Sequence, residues 1–200
     1  MGKETRLGST EDIFTAPIVE VEALRAGISR SVAPGTAIAA GNQAILAKKK
    51  RTILYKNGYT LPGMAAALLA AEAVSGIRHS SKLGSNLRKA DPGTKRLSET
   101  DAHHVVAAEA SGAHVSRMMI FAVGIGINDP DNGVLLPRYK TTKIASMPNA
   151  SPHQHIHTDM YYANVVTELV SADDKSDSTE IRGILRSISR RLVQGQFVYC

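Results

Sequence analysis

The sequence predicts an α+β chain, mainly helical, with one small β-hairpin beside a helix. Three observations predict it. Long stretches carry apolar residues at helical spacing, β-branched runs are few and short, and turn residues bracket those runs. With 200 residues, 43% of them hydrophobic, the chain can bury a real core as one domain or as one domain with an extension.

The elements follow in order. Residues 1–20 read as an extended lead. Val19 to about Ser31 has a helical period and stops at Pro34-Gly35. Ala37 to Lys50 reads as a second helix closing in the basic run Lys48-Lys49-Lys50-Arg51. Cations there suit the helix dipole, and the same run is a candidate phosphate contact. Thr52 to Tyr55 reads as a short strand before an Asn57-Gly58 turn, and Pro62 to Ile77 as an Ala-rich helix. Residues 79–100 are polar and basic, with Gly84, Pro92 and Gly93 as breakers, and read as a linker or as the lead into the second half. The domains are therefore drawn as a helical N-terminal extension at 1–79 and a second domain at 80–200.

In that second half, Val115 to Val123 reads as a helix and Gly124 to Gly133 as a turn-rich loop. Val134-Leu135-Leu136 reads as a strand stopped by Pro137. Ser151-Pro152 fits an N-cap followed by the first helical position, opening a helix to about Val170. Asp177 and Glu180 form a capping-box-like pair. Behind them Ile181, Ile184, Leu185, Ile188 and Leu192 share one helical face, and Gly195 ends it.

The formal net charge is +6. Residues 1–100 hold 15 Lys/Arg against 8 Asp/Glu, and residues 101–200 hold 9 against 10. Such a basic half suits a polyanion, because Lys and Arg displace counterions from phosphate. A single cysteine, Cys200, excludes an intramolecular disulfide. The most apolar stretch, Leu61 to Ile77, is interrupted by Glu72 and is shorter than the ~20 residues a bilayer needs, so no membrane partner is expected. The N-terminus lacks a charged-then-apolar signal pattern, so export would need another machine or a carrier.

Five of the seven histidines fall in two clusters, His103-His104 and His153, His155, His157. On a helix His153 and His157 are i and i+4, so they share a face and can hold one divalent ion, with His155 pointing away. Neighbours on a strand point to opposite sides. His103 and His104 can then face a metal and a substrate separately, as a metal-assisted hydrolase needs. Each cluster alone also fits unrelated polar histidines. Together, His-His, then Asn-Gly before a short strand, then HxxxH, is the order of a ββα-metal site.

These blocks resemble a known family. Asp101-Ala102-His103-His104-Val105-Val106 matches the signature of the AHH nucleases. Gly126-Ile127-Asn128-Asp129 with Asn132-Gly133-Val134-Leu135-Leu136-Pro137 matches its middle block, and His153-x-x-x-His157-Thr158-x-x-Tyr161-Tyr162 its closing block. Ser85-Asn86-Leu87-Arg88-Lys89 resembles its lead-in. The resemblance spans roughly residues 80–172.

The resemblance implies a metal-dependent HNH-type endonuclease on the ββα-metal fold shared with colicin-type DNases. His103, His153 and His157 would bind one divalent ion (Mg²⁺, Zn²⁺, Ni²⁺ or Mn²⁺) and His104 would be the general base. Asn132 would be the HNH asparagine, with Asn128 as its rival. His155 and Asp101 are secondary candidates, and Arg138, Lys140 and Lys143 are candidate DNA contacts beside Lys48, Lys49 and Lys50. No organic cofactor is implied. The implied setting is the C-terminal toxin domain of a secreted effector, such as a type VI effector, with a carrier or adaptor, DNA as target and a cognate immunity protein. The chain's end soon after the motif fits that expectation. An RNase, a metal-stapled nucleic-acid-binding module without catalysis, and an interaction protein working through its N-terminal half are the alternatives.

Overall fold

The structure is a computed structural model that describes residues 53–94, 98–172 and 177–199. The two helices and the Lys48–Lys50 run expected near the N-terminus lie outside the described residues. β1 (Tyr55–Lys56) and β2 (Tyr59–Thr60) pair antiparallel. Asn57 and Gly58 make their turn with φ of 51° and 88°, the positive values that a two-residue hairpin requires. α1 (Ala66–Ala73) follows, shorter at both ends than its apolar run.

α2 (His79–Ala90) stands where the sequence reads as a linker or lead-in. Its apolar signal is thin because the face it buries is half polar, made of His79, Leu83, Gly84 and Asn86. Asn86 is satisfied by donating to the Asn128 carbonyl at 2.8 Å. α2 packs on both strands of the central hairpin, β3 (Thr100–His104) and β4 (Gly133–Pro137). The approach is close at Gly133, where a Cβ would meet Leu83 Cδ1 at 2.5 Å.

β3 and β4 run antiparallel with Thr100 opposite Pro137 and His104 opposite Gly133. Val105 N extends the ladder to Asn132 O at 2.9 Å, and Arg138 N extends it to Glu99 O at 2.9 Å. Residues 105–132 join the strands through α3 (His114–Ala122) and a 3₁₀ turn at Pro130–Asn132. α4 (Asp159–Val170) supplies the helix of the ββα unit, and α5 (Ser178–Gln194) packs on β4 and on the 3₁₀ turn before it. The architecture is thus α+β, with helices around two 2-stranded antiparallel sheets among the described residues.

The helix expected from Ser151 opens at Asp159 instead. Thr158 has extended backbone (ψ 161°) and its hydroxyl accepts from Tyr161 N, so the cap lies there and not at Ser151. Ser151 is buried, with its N–H bonded to Leu192 O at 2.9 Å, and His153–His155 form a 3₁₀ turn. The last helix matches expectation at both ends. Asp177 accepts from Thr179 N and Glu180 N, and Gly195 is left-handed at φ 67°.

Residues 53–79, drawn by sequence with the N-terminal extension, lie in the same compact unit, Lys50–Cys200, as the histidines. Asp129 is the main link. Its carboxylate is fully buried and accepts from Thr60 N at 2.8 Å, Asp131 N at 3.1 Å and Arg182 at 2.8 and 3.0 Å. Removing one member of a buried ion pair leaves a charge without compensation, which costs roughly 3–5 kcal/mol. Arg182→Ala is expected to destabilise the fold by about that amount in urea denaturation.

Candidate active site and metal centre

β3 delivers His103 and His104 to opposite sides of its C-terminal end, and the 3₁₀ turn with the residues after it delivers His153 and His157. His103, His153 and His157 converge, each offering a ring nitrogen within 4.8 Å of the others. Their ring centroids are 5.1, 5.1 and 5.6 Å apart. The pairing of His153 with His157 arises in a turn and not along a helix face. His155, between them, is exposed and outside the triad.

Hydrogen bonds identify the free nitrogen of His103. Tyr161 donates its only proton to Val105 O at 2.8 Å. Its oxygen lies 2.9 Å from His103 Nε2 and can only accept there, so Nε2 carries the ring proton. His103 Nδ1 then holds a lone pair, and it is buried without a partner. An unpaired buried acceptor is costly, and a cation among three imidazoles would satisfy it. His157 Nδ1 lies 3.1 Å from the Tyr162 hydroxyl, and His153 Nδ1 lies 3.7 Å from Asp101 Oδ2. In both rings Nε2 is the nitrogen left for a ligand. A ring nitrogen held by an outer partner is the usual arrangement of metal-binding histidines.

Burial pushes His103 well below the ordinary imidazole range, helped by repulsion from His153, His157 and His104. Burial, and then His153, also lowers His157. Rings kept neutral can give lone pairs to a cation. The residues therefore fit a divalent metal ion, and three histidines leave coordination positions for water or substrate.

His104 faces away from the triad. Its Nε2 lies 3.2 Å from Asn128 Oδ1, and burial pushes its pKa down to about 4. It lines one cleft with His79, Arg78, His153, His157 and Tyr162. Asn132 sits elsewhere. Its amide accepts from Val106 N at 2.7 Å and donates to Val106 O at 3.1 Å and Ile127 O at 2.8 Å, tying the loop to the end of β3. Of the two candidates for the HNH asparagine, Asn132 clamps the backbone and Asn128 touches His104.

Asp101 takes Arg138 in a two-pronged pair at 3.0 and 3.1 Å and faces His153. Arg138, a candidate DNA contact, is thereby engaged within the protein, while Lys140 and Lys143 are exposed. The sequence reading did not single out Tyr161, Tyr162 or His79 for these places. The two tyrosines follow His157 by four and five residues, a spacing that also fits plain packing.

A hairpin that supplies one histidine of such a triad, and a turn leading into the following helix that supplies the other two, are the arrangement of the ββα-metal class. A family model described as a nuclease family of the HNH/ENDO VII superfamily with conserved AHH matches residues 85–192. The chain belongs to this AHH nuclease family. Nucleases of this superfamily use a divalent metal. No curated protein and no solved structure matched the chain. No described helix is long and apolar enough to cross a membrane.

Loss of an outer partner of a metal-binding histidine weakens metal affinity by roughly 10–100-fold. Tyr161→Phe is expected to lower affinity for Zn²⁺ by about that factor in calorimetric titration while the fold is retained.

Proposed function

We propose that the protein is a metal-dependent endonuclease that cleaves DNA with little sequence preference. The observation that carries this reading is the neutral His104, which lines one cleft with His153 and His157 beside a three-histidine site with room for further ligands. In it, His103, His153 and His157 hold one divalent ion. When bound, the ion stabilises negative charge on the phosphoryl and leaving oxygens. His104 takes the proton from the attacking water, for which a neutral imidazole is suited. Asn128 orients His104, and Asn132 keeps the end of β3 in place. A cutter of this kind needs phosphate contacts and not base contacts. The exposed Lys140 and Lys143, together with the Lys48–Lys50 run, are the proposed phosphate contacts. The net charge of +6 supports a polyanionic substrate.

The biological role proposed with it is that of a toxin effector. A carrier or adaptor brings it to a target cell, and a cognate immunity protein restrains it. The support is the chain's resemblance to the AHH nucleases, whose implied setting is the C-terminal domain of such effectors. Inhibition of cleavage by one co-expressed partner protein would test that role separately.

The deciding experiment is plasmid cleavage by the full chain with Mg²⁺ or Zn²⁺, with and without EDTA. Cleavage is expected only with metal. His104→Ala is expected to reduce the rate by about 10²–10⁴-fold with metal still bound. His157→Ala is expected to weaken metal binding and cleavage together. Wild-type cleavage by His104→Ala would overturn its assignment as base. Intact DNA with cleaved RNA would make the enzyme an RNase, and binding without cleavage of either would leave the metal-stapled module.

A further inference from the structure

The start of α2 forms one wall of the histidine cleft. Arg78, His79 and Ser80 line it beside His104, His153 and His157. A second cleft lies between α2 and the β3–β4 hairpin, lined on the α2 side by Ser80, Ser81, Gly84 and Arg88. The two meet at Ser80 and Ala102, which line both. Together they form a groove leading from the histidines along α2 to Arg88. Ser80, Gly84 and Arg88 follow one another at i+4 spacing and so share a helix face. Arg88 Nη1 stands 3.5 Å from where a Gly84 Cβ would be, so its guanidinium folds back over Gly84.

The donors on this wall are uncommitted. Arg78 and Arg88 are exposed and have no ion pair or hydrogen bond among the described residues. The N-terminus of α2 has no side-chain cap and no acidic residue in its first turn. The N–H groups of His79, Ser80 and Ser81 have no acceptor among the described residues. The helix dipole adds partial positive charge there, as at many phosphate sites. An independent observation points the same way. His79 is only 6% exposed, its Nδ1 meets the Asn128 amide at 3.2 Å, and its Nε2 is buried without a partner. A buried polar atom left unpaired is costly, and a ligand seated in the cleft would offset that cost. The carboxylates belong to the other walls. Asp101 is neutralised by Arg138, and Glu109, on the segment after β3, repels phosphate toward the α2 side.

We propose that this groove seats the DNA phosphates next to the one being cut. Arg78 and the free N–H groups at the start of α2 hold one, and Arg88 with the Ser80 and Ser81 hydroxyls holds another. Guanidiniums, helix N–H groups and hydroxyls are the donors by which proteins grip a nucleic-acid backbone. The proposal rests on the reading of the protein as a DNA endonuclease. Arg78, Ser80 and Ser81 precede residue 85, where the family match begins.

The test uses the full chain loaded with Zn²⁺ in a His104→Ala background, to keep the DNA uncut. It follows the anisotropy of a labelled DNA duplex across a salt series. Each phosphate contact adds about 0.9 to the slope of log K against log[salt]. Arg78→Gln and Arg88→Gln are each expected to lower the slope by about 0.9 and the affinity about 10-fold, and the slope by about 1.8 when combined. Arg190→Gln removes an exposed arginine of α5 that lines neither cleft, and both quantities are expected to stay unchanged. Ser80→Asp puts a carboxylate in the first turn of α2, where the dipole favours it. Its melting temperature is expected to hold or rise while DNA binding weakens about 10-fold or more, an opposition that a merely structural role would not produce. In the enzyme with His104 intact, Arg88→Gln is expected to raise KM with kcat within about threefold, since these phosphates lie away from the reacting bond. Slopes within about 0.3 of the parent in both arginine variants, an equal loss in Arg190→Gln, or no binding of the duplex would overturn the groove. A lowered slope supports it even if the wild type cuts no DNA with any metal, a result that removes the endonuclease reading instead. Should the His104→Ala background itself cut DNA, the base assignment falls, and the KM of the arginine variants decides for or against the groove.

Discussion

The buried carboxylate of Asp129 is the constraint on which the rest depends. It draws the β1–β2 hairpin, through Thr60 N, and α5, through Arg182, onto one loop. Asn128 and Asn132 belong to that same loop. Burying a carboxylate costs several kcal/mol unless it is paired and hydrogen-bonded, and here backbone N–H groups and a guanidinium provide both. The arrangement tolerates little displacement, because any shift leaves charge unpaired in a medium of low dielectric. Loop position, and with it the place of the Asn128 amide, is therefore held from two distant parts of the chain.

On the other side of β3 the constraint is a matter of proton count. Tyr161 has one proton, and Val105 O takes it, so the His103 ring can present only Nδ1 to the triad. Neither tyrosine nor histidine changes charge in this arrangement. Direction alone is transmitted, from a backbone carbonyl through a phenol to an imidazole. A hydrogen-bonded network of this kind sets geometry without placing an ionised side chain in the core.

Much of this was legible in the sequence, and what was not has physical causes. The order His103-His104, Asn132-Gly133, His153 and His157 could be read because few residue types do such chemistry and their spacing is short. The end of β4 and both caps of α5 were legible from Pro137, Asp177 and Gly195, whose backbone preferences are strong. α2 was hidden because it buries His79 and Asn86, so its hydrophobic period is weak. The turn at His153–His155 was hidden because Ser151-Pro152 and Thr158 are both acceptable caps. Tertiary contacts separate them, the bond of Ser151 N to Leu192 O and the Thr158 hydroxyl accepting from Tyr161 N. Contacts distant in sequence, such as Tyr55 with Glu72, leave no local pattern at all.

The alternation of the β3 backbone has an evolutionary consequence. His103 turns to the triad and His104 to Asn128, so a one-residue slip of β3 against β4 would exchange the two roles. Insertions and deletions within either strand should be purged from the lineage. The Asn132 clamp on Val106 and the close seat of Gly133 on Leu83 guard that register. Much of the chain between Ala107 and Ile125, by contrast, lies between the clamp and the site loop without setting the register. There, length can drift among descendants, so divergence between family members should concentrate in the connection and spare the ladder.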